Sequence, residues 1–299
     1  MNTSLEPLTR ITITVFIFLG ACSFQDVPEH VLGPAPARAV IFLPNTVSKP
    51  DRYEYGSVFN ADNTEFYYGV QNDGWSDIRM TRRTRDGWSE PKIIIGSPHF
   101  SANDPFLSND GSRLYFISPR EQHYDIGYVA RTAEGVWGKA VFSPAPINSN
   151  DNEYYISFSQ DGSMVFSSDR NATERGDFDI YLARRDGELY LPEIAFPKTI
   201  NTNGYEADAY IASDESYLIF SSNRKEGRGR GDLYISFALD DGGWSKAISM
   251  GDTINSEGHE LCPFVSLDGR YFFFTSREDI YWMDASIIET FRPVTGAKP

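Results

Sequence analysis

Carboxylates recur at one position in this sequence, eight residues before an aspartate that closes a tight turn. The turn aspartates are Asp62, Asp110, Asp161, Asp214 and Asp268. Four of them are preceded at that distance by a glutamate, namely Glu54, Glu153, Glu206 and Glu260. The remaining case has Ala102 there, with Asp104 close by. Carboxylate oxygens are hard ligands that suit a divalent cation, so the set is a candidate cation or binding site.

A structural role competes with that reading. Each glutamate can instead accept backbone N–H bonds or pair with an arginine that ends the second strand of its repeat. These arginines are Arg120, Arg170, Arg224 and Arg277. Because they recur with the same spacing, we favour structural pairing over a metal-binding or catalytic ring. The repeated aspartates Asp77, Asp125, Asp179, Asp232 and Asp279 are likewise predicted to stabilise turns and strands.

Three histidines, His99, His123 and His259, fall on predicted loops, where imidazoles beside Glu260 would suit a transition metal. No paired spacing such as His-x-His or His-Glu-x-x-His occurs, so we interpret them as surface residues. The sequence also contains no Gly-x-Ser-x-Gly elbow, P-loop or dinucleotide fingerprint. Nucleophilic hydrolysis and nucleotide chemistry are therefore disfavoured.

The elements that carry these residues form a five-fold repeat. The turn aspartates return about every 50 residues, a period typical of propeller blades. Each unit supplies short strands a, b and c rich in Tyr, Phe, Ile and Val, then a strand d. Strand d is predicted to start near an aromatic residue, at Trp88, Trp137, Tyr190 and Trp244.

The two ends of the repeat array complement each other. The fifth unit lacks strand d, whereas residues 39–47 have the pattern of a strand d with no a, b and c before it. Pairing them would remove the open edge of a linear array. We therefore predict an all-β fold, a five-bladed β-propeller closed by an N-terminal strand that completes the last blade.

This architecture places the candidate residues. Strand a is innermost, so the glutamates and Asp104 are expected to ring one mouth of the central channel, where a divalent cation is possible; no other cofactor is predicted. Loops on the same face would carry a polar and aromatic surface suited to carbohydrate, with ordinary solvated loops as the alternative. The loop-face candidates are Trp75, Arg120, His123, Tyr124, Arg170, Arg224 and His259.

The N-terminus indicates export. An apolar run over 11–19 follows Arg10 and is too short to span a bilayer. The following Leu19-Gly20-Ala21-Cys22 resembles the bacterial lipobox, which implies lipidation of Cys22; a conventional cleaved signal is the alternative. We predict a signal peptide over 1–21, a lipidated tether over 22–37 and a single propeller domain over 38–299.

Charge narrows the partners. The formal net charge is −15, which argues against nucleic acid and against electrostatic docking to membranes. Attachment to a membrane is therefore expected through Cys22 alone. Serine rather than aspartate follows the cysteine, which implies outer-membrane sorting in a Gram-negative host. Lipidation would leave Cys262 as the remaining thiol, predicted to be a buried structural residue.

One repeat family accounts for the motifs. Phe158-Ser159-Gln160-Asp161-Gly162, then Ser167-Ser168-Asp169-Arg170, then Asp179-Ile180-Tyr181 resemble the WD-like propeller repeats of the TolB type over about residues 32–293. The resemblance implies a fold and says little about activity. We expect a binding or scaffolding module of the cell envelope whose ligand is a glycan or an envelope protein. The alternative is a carbohydrate-active lyase or hydrolase that uses the same face.

Overall fold

A computed structural model of the chain describes residues 32–174 and 176–293. The predicted signal peptide and Cys22 lie outside the described residues. In this part of the chain, no helix has the length and apolar character needed to cross a membrane. The regular structure is almost entirely strand, ending in a short 3₁₀ helix over Ala285–Phe291.

Five antiparallel sheets form the five predicted blades, which confirms the all-β propeller. The first blade contains β2 (Tyr53–Phe59), β3 (Glu65–Gln71), β4 (Ser76–Thr84), β5 (Gly87–Trp88) and β6 (Lys92–Ile95). The second contains β7 (Asn103–Leu107), β8 (Arg113–Pro119), β9 (Tyr124–Arg131) and β10 (Trp137–Phe142). In both blades the strands run outward from the channel in chain order, from a to d.

The other three blades repeat this order. The third contains β11 (Glu153–Phe158), β12 (Met164–Ser168), β13 (Asp179–Ala183) and β16 (Ile194–Ala195), with a small hairpin of β14 (Arg185–Asp186) and β15 (Leu189–Tyr190). The fourth contains β17 (Glu206–Ile211), β18 (Tyr217–Ser222), β19 (Asp232–Phe237) and β20 (Ile248–Ser249). The fifth contains β21 (Leu261–Val265), β22 (Tyr271–Ser276), β23 (Asp279–Asp284) and β1 (Val40–Ile41).

The predicted closure is confirmed. Strand β1 pairs antiparallel with β23, with Val40 opposite Trp282 and Ile41 opposite Tyr281. The strand is shorter than the predicted 39–47, because Leu43 and Asn45 have φ angles of 43° and 68° and turn the chain away.

Part of the predicted tether also lies against the fifth blade. The Tyr271 hydroxyl donates a hydrogen bond to the Gly33 carbonyl at 2.8 Å, and the Asp284 amide donates to the Pro36 carbonyl at 2.9 Å. Residues 33–36 are thus attached to the blade that β1 completes.

The repeated turns owe their aspartates to local hydrogen bonding. Asp161 accepts from the Ser163 amide at 2.9 Å and from the Ser159 hydroxyl at 2.6 Å, and Asp110 is bonded in the same way. These bonds stabilise the ionised carboxylate, and the pKa of Asp110 is therefore lowered to about 2. Side chains that bond the backbone two residues later favour a turn over a continued strand.

Candidate functional site

Every innermost strand contains a β-bulge at the same place. The bulge residue lies two positions after the repeated glutamate, or after Ala102 in the second blade, and has a positive φ. These residues are Gly56, Asp104, Tyr155, Asp208 and Cys262, with φ of 57°, 47°, 38°, 52° and 52°. The register of strand a against strand b shifts at each one. Only one of the five is glycine, so four blades keep a side chain in backbone geometry that is costly for it.

The four glutamates do not form the expected ring at the channel mouth. All four are fully buried. Glu206 accepts hydrogen bonds from the Thr202 amide at 2.7 Å, the Thr202 hydroxyl at 2.8 Å and the Ser222 hydroxyl at 2.8 Å. Glu153 and Glu260 make the same three kinds of contact with the serine four residues earlier and the serine that ends strand b. Each of these three carboxylates thus joins the loop before strand a to the end of strand b, whereas Glu54 bonds the Lys49 amide and Arg52.

The arginine partners vary between blades. Arg170 bonds Glu153 at 3.0 Å and Arg224 approaches Glu206 at 3.4 Å. Glu54 is paired with Arg52, at the start of its own blade. In the second blade, where Ala102 replaces the glutamate, Arg120 lies 3.7 Å from Asp125. Arg170 and Arg224 are nearly buried, and both guanidinium groups bond backbone carbonyls within the protein.

The asparagine before each Ser or Thr completes this joint. Asn201 accepts from the Ile180 amide at 2.9 Å and donates to the Ile180 carbonyl at 3.0 Å. Asn148 forms the same two bonds with Ile126, and Asn255 forms them with Leu233. The Ile-Asn-Ser/Thr sequence therefore fastens each loop to strand c of the preceding blade.

The channel mouth is lined by tyrosines. A cavity of about 350 Å³ opens there, and its wall includes Tyr53, Tyr55, Tyr124, Tyr154 and Tyr205. The rings pack in pairs: centroids are 5.2 Å apart for Tyr53 and Tyr55, and 4.9 Å apart for Tyr124 and Tyr154. Asn103, Asp104, Asp208 and His259 supply polar groups to the same cavity. The mouth is thus an aromatic cup with a polar lining.

Two carboxyl groups lie at the bottom of this cup. Asp104 and Asp208 are 8% and 7% exposed, and both project from bulges. Burial raises the pKa of Asp104 to about 6. Burial, followed by the nearby charge of Asp104, raises the pKa of Asp208 to about 8. Asp208 thus carries its proton at neutral pH and can donate a hydrogen bond.

Cys262 belongs to the same layer. Its sulfur lies 3.4 Å from Asp104 Oδ1, and its side chain is buried as the sequence predicted. Burial raises the pKa of this thiol well above its usual range, which keeps it protonated. The thiol therefore serves Asp104 as a weak hydrogen-bond donor.

The opposite end of the channel is apolar. Phe106, Phe158 and Phe264 converge there, with Phe106 at 5.9 Å and 6.0 Å from the other two ring centroids. All three are buried. Aromatic side chains from three innermost strands therefore pack together at this end of the channel.

The remaining candidates are dispersed around the face. Tyr124 and His259 reach the cup, whereas Trp75 and His123 are absent from its lining. His123 Nε2 lies 3.2 Å from Asp125, and Arg120 lies over the ring of Phe142. Within residues 32–174 and 176–293, no group of three His, Cys, Asp or Glu side chains is placed to hold a metal ion.

Four of the five tyrosines, all except Tyr124, were not predicted from the sequence, and neither was Asp208. Their signal is the two-residue period of a strand: Tyr53, Tyr55, Tyr154 and Tyr205 are immediate neighbours of the repeated glutamates and so point the other way. The bulges that direct Asp104 and Asp208 into the cup depend on backbone geometry and have no comparable sequence pattern.

The buried carboxyls predict an unusual pH dependence. Asp208 holds its proton up to a pH of about 8 in the folded protein, but in the unfolded chain it loses the proton near its ordinary pKa of 3.8. The folded state binds more protons between these values, so Asp208 lowers stability as pH rises through this window. Asp208→Asn should remove the effect and raise the melting temperature at pH 9 by at least about 4 °C, with little change at pH 4.

Melting curves of both proteins between pH 4 and 9 test this expectation. Asp240→Asn, at an exposed aspartate, is the matched control and should follow the wild type. Parallel curves for the wild type and Asp208→Asn would show that Asp208 ionises normally in the folded protein.

Comparisons with known proteins identify the fold. No protein-family model and no curated protein matches the chain. Among solved structures, TolB from Acinetobacter baumannii has a TM-score of 0.52 at 12% identity, covering 80% of this chain and 56% of that one. A putative TolB from Agrobacterium tumefaciens has a TM-score of 0.50 at 18% identity, covering 76% of this chain and 71% of that one.

This chain thus spans just over half the length of the Acinetobacter protein. At these identities the likeness extends to the fold alone, in agreement with the resemblance of the repeats. The chain has a five-bladed β-propeller fold that is similar to the folds of these two structures.

Proposed function

We propose that this protein is a glycan-binding module of the cell envelope, and that the tyrosine cup at the channel mouth is its binding site. The observation that carries the proposal is the convergence of five tyrosines around two buried carboxyl groups. Aromatic faces pack on the apolar faces of sugar rings, while carboxyl, amide and imidazole groups bond the hydroxyls. An envelope protein that inserts a polar side chain is the competing ligand.

The charge state of the cup favours a hydroxylated ligand over a bare cation. With a pKa of about 8, Asp208 is a neutral donor at physiological pH, so the cup holds less negative charge than its residues suggest. The four glutamates that the sequence offered as further cation ligands have partners within the protein: Glu153, Glu206 and Glu260 bond the loop before strand a, and Glu54 pairs with Arg52.

The sequence supports the proposed location. The export signal and the lipobox-like Leu19-Gly20-Ala21-Cys22 favour a lipid-anchored protein of the outer membrane, joined to it through Cys22. Metabolic labelling with a fatty acid tests the anchor, and label retained in Cys22→Ser would exclude that residue as the site.

Titration of an oligosaccharide panel against the purified propeller tests the glycan site. Tyr154→Ala should weaken binding of any ligand found by about 3- to 10-fold, because it removes one aromatic wall of the cup. Trp75→Ala is the matched control, since Trp75 lies on the same face outside the cup lining. Loss of binding in the control but not in Tyr154→Ala would show that the ligand binds the outer loops and not the cup.

A specific observation favours a second candidate, a carbohydrate-active enzyme. Asp104 and Asp208 share one cavity with pKa values raised to about 6 and about 8, and separated carboxyl pKa values are typical of acid–base pairs. Assays for new reducing ends and for unsaturated sugar products between pH 5 and 8 would detect turnover. Activity that disappears in Asp208→Asn would establish that the protein is an enzyme. Binding of a ligand without turnover would instead support the binding module.

A further inference from the structure

A basic groove lies beside the tyrosine cup, at the edge of the third and fourth blades. It has a volume of about 710 Å³ and is lined by the loop before β17, the loop after β18 and the start of the outer strand region at Lys246. Lys198, Lys225 and Lys246 all contribute to its wall, and all three are exposed. The groove is therefore a site of concentrated positive charge on a protein whose net charge is −15.

Lysine residues are concentrated in this groove relative to the rest of the chain. The lysines of the chain are Lys49, Lys92, Lys139, Lys198, Lys225, Lys246 and Lys298. Three of these seven meet in one groove. Among the described residues, neither Lys225 nor Lys246 forms an ion pair with a carboxylate of the protein. Both ammonium groups are thus available to an external anion.

The acidic groups near the groove do not cancel this charge. Glu226 is part of the lining and is exposed. Asp179 lies close enough to Lys198 for the lysine charge to oppose the rise that burial causes in its pKa. Glu206 lies beneath the groove and is held by Arg224 and Thr202. An anion in the groove would face three lysines against one exposed carboxylate.

The groove and the cup share a wall. Gly204 lines the groove and Tyr205, the next residue, lines the cup. Asn223 fixes this wall, because its Oδ1 accepts from the Tyr205 amide at 3.2 Å. A Cβ added at Gly204 would lie 2.8 Å from Asn223 Oδ1, so a larger residue here would displace the amide that bonds Tyr205. Because consecutive residues line the two sites, one oligosaccharide can contact both of them.

We propose that the groove binds the carboxylate or sulfate group of an acidic glycan whose neighbouring sugar occupies the tyrosine cup. This inference rests on the proposed function and narrows its ligand from glycans in general to anionic ones. Lys225 and Lys246 are the specificity-determining residues, since their charges have no other partner. Exposed charge pairs are individually weak, so selectivity comes from several of them acting on one ligand.

The test compares each acidic oligosaccharide with its own neutral form. Tetra-uronates and their methyl esters have the same sugar skeleton and differ in charge, so the ratio of their affinities isolates the groove. We expect the acid form to bind about tenfold more tightly at low salt, and Lys225→Gln and Lys246→Gln each to reduce its affinity about 3- to 5-fold. Affinity for the esters should not change. Lys139→Gln, an exposed lysine on β10, is the control.

The outcomes separate the two proposals. Equal affinity for acids and esters, with both weakened by Tyr154→Ala, would contradict the proposal that the groove binds anions. The proposal that the cup binds glycans would then still be supported. Acid binding that depends on the lysines but not on Tyr154 would support the groove as an anion site and contradict the cup. A panel in which no sugar binds overturns both, as does tight binding of a polyglutamate peptide in place of the sugars.

Discussion

Phe42→Ala is expected to lower the free energy of unfolding by about 3–5 kcal/mol, one of the largest effects available to a single substitution in this protein. Phe42 immediately follows β1 and is 2% exposed. Its ring lies 4.7 Å from that of Phe66 in the first blade and 5.1 Å from that of Phe273 in the fifth. The side chain thus packs between the two blades that close the propeller, and its loss leaves a cavity at the closure.

Denaturant unfolding of Phe42→Ala and of Ile41→Ala measures this contribution. Ile41 lies on the closing strand itself but is 36% exposed, so its truncation should cost less than about 1 kcal/mol. Limited proteolysis should also cut the variant first within residues 32–52, since a loosened strand exposes its backbone. Equal losses in the two variants would mean that the closure is held by strand pairing alone and not by the aromatic contact.

Glu206→Ala should be comparably destabilising, by about 3–5 kcal/mol, because it leaves Arg224 without its carboxylate in a buried position. The Glu206 side chain is fully buried and that of Arg224 is 7% exposed. The substitution also removes the acceptor of the Thr202 amide and of the Thr202 and Ser222 hydroxyls. Glu226→Ala, at an exposed glutamate of the same blade, is the control and should be nearly neutral.

A paired substitution distinguishes the joint from a cation site. If Glu206 acts through Arg224, the double variant Glu206→Leu with Arg224→Met should regain part of the stability that Glu206→Ala loses, since no buried charge is left unpaired. Calcium should not affect the melting temperature of any of these proteins. A calcium-dependent rise in the wild type that is absent in Glu206→Ala would restore the metal-binding interpretation of the repeated glutamates.

The repeated glutamates show which properties of a residue a sequence pattern can predict. The spacing of Glu153, Glu206 and Glu260 identified them as equivalent, and equivalence was correct. The spacing did not predict where these side chains point, because a side chain at the start of strand a can face either the preceding loop or the cup. Their Ser and Thr partners four residues earlier decide in favour of the joint. The repeated glutamates here support the fold, whereas the bulge position carries a carboxylate only at Asp104 and Asp208, with Gly56, Tyr155 and Cys262 in the other three blades.

The sequence by itself determined the five blades, their strand order and the closure by the N-terminal strand. These features follow from local chemistry: Asx turns, the two-residue period of strands and the need to pair an open edge are all visible in a linear sequence. Only the tertiary structure decided the site. The cup joins Tyr53, Tyr124, Tyr154 and Tyr205 from four blades, and the bulges at Asp104 and Asp208 turn two carboxyls into it. Such proximity depends on how the ring of blades closes and on backbone angles of positive φ, neither of which residue spacing specifies.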